Sequence, residues 1–114
     1  MIRTVLAAAA LAFALPAAAA DAGDTYYELH YAYEVAAHCG LADAGVERGF
    51  RDARKRLAEL SELDDDALKR HRIHAIVAAE REYQNRGLGG YRPWCRTEGK
   101  EARRRILQWA AGGN

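Results

Sequence analysis

Beyond residue 20, apolar residues recur at steps of three and four, and no stretch keeps the two-residue alternation of a half-buried strand. Four helices account for nearly all of this region. Asp24 is placed to cap a first helix, whose seam runs through Tyr26, Leu29, Tyr33 and Ala36 and which Gly40 stops after Cys39. Asp43 is placed to cap a second. There Val46, Phe50, Ala53, Leu57 and Leu60 form one narrow apolar seam, with Arg48, Arg51, Arg54, Lys55 and Arg56 mostly outside it. Asp64 reads as the cap of a third helix: Asp65 and Asp66 favour its positive end, and Leu63 can staple onto Leu68. Its inward side is predicted to carry Leu68, Ile76, Ala79 and Tyr83, joined by Ile73 and Val77, before a stop near Gly87. Gly89, Gly90 and Pro93 make residues 88–97 a loop carrying Tyr91, Trp94 and Cys95. Thr97 is then placed to cap a last helix, with Ala102, Ile106, Trp109 and Ala110 inward and Gly112-Gly113 fraying.

The segment ahead of these helices reads as a leader. Arg3 supplies a positive charge, Val5 to Leu15 an apolar stretch, Pro16 a break, and Ala18-Ala19-Ala20 the small residues that signal peptidase accepts. Residues 1–20 are therefore expected to be a cleavable signal peptide, leaving a single helical domain over residues 21–114. The stretch from Thr4 to Ala20 is mostly alanine and falls short of the roughly 20 strongly apolar residues a span requires, so no membrane span is expected after cleavage. The implied address is periplasmic or secreted.

Two cysteines, Cys39 and Cys95, gain meaning from that address. An exported chain reaches a disulfide-permissive compartment, so they read as a structural bridge between the end of the first helix and the start of the last. The expected fold is all-α, a small four-helix domain with one disulfide. A core this thin benefits from a covalent staple.

Charge is balanced in total and segregated in arrangement. Residues 21–66 hold 12 acidic and 5 basic side chains, whereas residues 67–114 hold 4 acidic and 11 basic. Pairing of oppositely charged antiparallel helices explains this more simply than an acidic or basic docking face. Nucleic acid is not expected as a partner, given the export signal and the absence of net positive charge in residues 21–114.

His30, Glu34 and His38 fall at successive i, i+4 positions, on one face and off the apolar seam. Such a row could ligate a Zn or Cu ion. The three residues span about 12 Å of helix rise, so a straight helix cannot bring all three to one metal. A pair completed by His71 and His74, three residues apart on the third helix, is the workable set. Surface hydrogen bonding of Glu34 with a histidine is the preferred alternative, because no tight motif such as H-E-x-x-H is present. Tyr27 and Tyr31 lie one turn apart on another face and are candidates for a partner surface, although tyrosines in so small a domain more often cover the core edge.

Catalytic constellations are thin. Ser61 is the only serine and falls in the turn between the second and third helices; Cys39 adjoins His38 but is assigned to the bridge; Gly87-Leu88-Gly89-Gly90 follows a helix and not a strand; Asp64-Asp65-Asp66 lacks the glycine and distal glutamate of a calcium loop. No catalysis is expected.

The order Tyr31-x-Tyr33 before Cys39-Gly40, then Tyr83-x-x-Arg86-Gly87 and Tyr91-x-x-x-Cys95, resembles a group of small exported two-cysteine helical bacterial proteins of uncharacterised function. The resemblance implies export and a helical disulfide fold and transfers no activity. The chain departs from that pattern in the Ala36-Ala37-His38 stretch. In size, leader and the pair Cys39 and Cys95 it also resembles the small acid-stress chaperones of the bacterial periplasm. Together these readings point to a monomer or weak homodimer that binds an envelope protein or stabilises an envelope component, without catalysis and without a cofactor. The alternative is a periplasmic transition-metal-binding protein that uses the His/Glu helix face.

Overall fold

The computed structural model describes residues 17–86 and 89–113. Helix α1 (Ala17–His38) is followed by α2 (Ala44–Ser61) and α3 (Asp65–Asn85). A short helix, α4 (Tyr91–Trp94), then runs through a π-helical turn (Cys95–Gly99) into α5 (Lys100–Ala110). No strand occurs among the described residues, and the fold is the expected all-α one. Met1 to Pro16 of the expected leader lie outside the described residues.

The helix ends show why the chain breaks where it does. Asp43 Oδ1 accepts the Val46 amide at 2.9 Å, and Asp64 Oδ1 accepts the Ala67 amide at 2.8 Å, so both expected caps are made. Gly40, at φ +71°, closes α1: the Leu41 amide donates to Ala36 O and the Gly40 amide to Ala37 O. This paired arrangement satisfies two of the last carbonyls. The same pattern ends α5, where Gly112 and Gly113 donate to Trp109 O and Gln108 O. The terminal glycines thus cap the helix where fraying was expected.

Helix α1 is the hub. It packs against α2, α3, α5 and the π turn, while α2 packs in addition on α5. Leu29, Val35, Val46 and Ile106 are fully buried where these helices meet, flanked by Trp94 and Trp109. The α2–α5 contact is close because Gly49 faces Ala110. Arg56 Nη2 also donates to Trp109 O at 2.6 Å, placing a cation on the negative end of α5.

Several expectations shift for identifiable reasons. Asp24 does not cap α1, which begins at Ala17. Alanine is the best helix former, and Ala19, Ala22 and Gly23 are buried in the packed helix. The segment expected to be a loop is helical from Tyr91, with Pro93 in the first turn, where its missing N–H costs nothing. Thr97 does not cap a helix: it lies in the π turn, and its hydroxyl reaches back to Pro93 O and Trp94 O. Leu60 turns outward, and Ser61 is buried in its stead. Ile73, Ile76 and Val77 are also exposed, because α3 presents the small residues Ala75 and Ala79 to α1 and turns its bulky aliphatics away.

Cys39 and Cys95 are bonded, with Cα atoms 5.3 Å apart and a sequence separation of 56. The bond ties the end of α1 to the start of the π turn. That turn carries Gly99 against it, where a Cβ would lie 2.9 Å from Cys39 Sγ.

Candidate functional site

The histidines occupy three separate environments. His30 is almost fully buried, 4% exposed, between the rings of Tyr26 and Phe50, with centroids at 4.6 and 5.1 Å. Its Nε2 has no hydrogen-bond partner. Burial, assisted by the positive fields of Arg54 and Arg72, lowers its pKa from 6.5 to about 4. The expectation that His30 lies off the apolar seam is therefore corrected. Helices pack around α1 on several sides, and the arc left to solvent is narrow.

His38 stacks on Tyr83 at 4.3 Å, and its Nε2 meets Glu80 Oε2 at 2.9 Å, clipping the end of α1 to α3. Glu34 is half-buried on α1. His71 and His74 line a small hollow with Ala67 and Arg70 on α3. Among the described residues, no group of three or more His, Cys, Asp or Glu side chains is close enough to hold a metal ion. The row His30, Glu34, His38 and the pair His71, His74 are thus not brought together.

Tyr27 and Tyr31 are both half-buried. Tyr31 packs on the edge of the core and lines a cleft with Glu82, Arg86, Trp94 and Glu98. Burial first, then the charges of Glu82 and Glu98, raise its phenol pKa. The Arg86 guanidinium lies over the Trp94 ring in this lining, at 5.6 Å. Ser61 is engaged structurally: its hydroxyl donates to Ala58 O and accepts the Leu63 amide, holding the α2–α3 turn.

Two surface features escaped the sequence reading. The first is a ridge on α3, where Ile73, Ile76 and Val77 are 43%, 36% and 41% exposed on one face. Its signal was the i, i+3, i+4 spacing, which was assigned to the core. The second is a groove of about 690 Å³ between α2 and α3, floored by Tyr26 of α1. Arg51, Arg54 and Lys55 line it from α2, and Lys69 and Arg72 from α3. Both basic stripes are visible in the sequence, but only the packing makes them face each other.

Fold and surface together define a disulfide-stapled helical domain with a basic groove and an apolar ridge. No family model, curated protein or solved structure matches the chain.

Proposed function

We propose that the protein is exported to the cell envelope and acts there by binding another protein, without catalysing a reaction. The observation that carries this reading is the ridge on α3. Three bulky aliphatics at i, i+3 and i+4, exposed on a helix whose other side is already packed, form the anchor pattern by which a helix face docks into a partner. A small single-core domain gains nothing in its own stability from leaving such residues in water. The Cys39–Cys95 bond, which persists in oxidising compartments, and the leader pattern ending at Ala20 support export.

The test is in-cell photo-crosslinking with a photoreactive residue at Val77, and at Lys100 on α5 as an exposed control. The reading expects an envelope-fraction adduct with a different protein from position 77 and none from position 100, on a chain whose intact mass begins at Asp21. Crosslinks to a second copy alone, equal adducts from both positions, or recovery of the chain in the cytoplasm would contradict it.

A further inference from the structure

Helices α2 and α3 are joined by a turn of three residues, and the charge segregation along the chain would lead one to expect them to pair as acid against base. The structure does otherwise. Helix α2 lies in the acidic half of the chain but turns Arg51, Arg54 and Lys55 toward α3, and α3 answers with Lys69 and Arg72. Like charges therefore face each other across an open groove, and α2 and α3 each pack far more closely on α1 than on one another. Among the described residues, none of these five cations makes an ion pair; the pairs that form lie elsewhere, as in Arg103–Asp43 and Arg105–Glu28. Only Asp52 and Asp65 line the groove with opposite charge. Five cations against two carboxylates leave this concave surface net positive, which focuses its field on an incoming anion.

The groove is also partly ordered. The Arg54 guanidinium rests over the Phe50 ring at 5.6 Å, and Phe50 stacks in turn on Tyr33 at 4.1 Å, so this cation is held from behind by core aromatics. The lining runs from Arg51 to Ala58 on α2 and from Asp65 to Arg72 on α3, about 10 Å along each helix. Three or four residues of extended peptide cover that length. Leu68 and Ala58 add apolar surface beside the cations, and α3 carries the ridge directly onward. Alternating carboxylate and aliphatic side chains meet both features. An inorganic polyanion would leave the apolar surface of Leu68 and Ala58 uncovered.

We infer that the α2–α3 groove binds an acidic polypeptide segment, its Asp and Glu carboxylates held by Arg51, Arg54, Lys55, Lys69 and Arg72. This rests on the protein-binding reading above and names the chemistry of the partner. Guanidinium groups suit the role because they grip carboxylates bidentately.

The probe is fluorescein-labelled octaglutamate, titrated by anisotropy against the oxidised protein at low and at physiological salt. Saturable binding that weakens with salt is expected. Arg54→Glu/Arg72→Glu should weaken it by about tenfold or more, whereas the charge-matched Arg92→Glu/Arg96→Glu control should stay within about twofold. Arg54→Gln/Arg72→Gln, a milder pair, serves if the reversal unfolds the domain. Bound peptide should also raise the His30 pKa in an NMR titration, because it screens the two arginines that bear on that ring. Absence of saturation, equal loss in the control, or tighter binding of tripolyphosphate or phosphatidylglycerol vesicles through the same arginines would overturn the inference. A heterologous Val77 adduct without octaglutamate binding would sink the groove assignment and leave the protein-binding reading standing. Octaglutamate binding without a Val77 adduct would do the reverse.

Discussion

Burial between Tyr26 and Phe50 commits His30 to its neutral form. An imidazolium there would lose its water, gain no acceptor for Nε2, and face the fields of Arg54 and Arg72. The folded state holds fewer protons than the unfolded chain between the two pKa values, 6.5 unfolded and about 4 folded. The linked stability is thus fully present above pH 6.5 and is lost as pH falls toward 4, by on the order of 3 kcal/mol. Urea melts of the parent should show this loss between neutral pH and pH 4.5, and His30→Leu should show a distinctly flatter profile. Identical profiles would mean the ring is not buried as described. Gly99 is the second residue whose identity is dictated by a neighbour. A Cβ there meets Cys39 Sγ at 2.9 Å, so Gly99→Ala should cost about 1–3 kcal/mol as overpacking. In a Cys39→Ala background the cost should shrink, and a double-mutant cycle of thermal melts reads the coupling.

Among the elements, α2 was the most legible, because it packs on one side only and its polar face stays polar. Its cap at Asp43 and its seam through Val46, Ala53 and Leu57 are as the spacing predicts. The reading failed where packing is many-sided or uses small residues. As the hub, α1 buries Tyr26 and His30 as well as Leu29, so no clean polar face exists on which to place a row of ligands. In α3, two alanines set the buried stripe, and hydrophobic size, the usual signal, pointed the wrong way. Nor could either basic stripe disclose the groove, since facing across space is not written in the local spacing of one helix. Capping remains local and therefore testable. Asp64→Ala should destabilise by about 1 kcal/mol, with Asp64→Asn close to the parent, as read by denaturant midpoints. Asp43→Ala should destabilise further than Asp43→Asn, because the amide keeps the cap to Val46 and loses only the pairing with Arg103.

For the molecule as a whole, the Cys39–Cys95 bond closes a long loop and ties the end of α1 to the π turn that leads into α5. Loop-closure entropy assigns it about 4 kcal/mol as an upper figure. Against the roughly 5 to 10 kcal/mol typical of a small domain, that is a large share. Reduction, or Cys39→Ala/Cys95→Ala, should lower the melting temperature by up to about 20 °C. A melt unaffected by reduction would remove the staple from the account. With α1 and α5 held this way, α2 and α3 present the groove between them, and the next turns of α3 add the ridge to the proposed docking face. Hydrogen–deuterium exchange on the oxidised protein, with and without the partner captured at Val77, tests that face most directly. The account predicts slowed exchange within Arg51–Ala58 and Asp65–Val77 on binding, with Tyr91–Ala110 unchanged; protection centred on the Tyr31–Trp94 cleft, or none on α2 and α3, would contradict it.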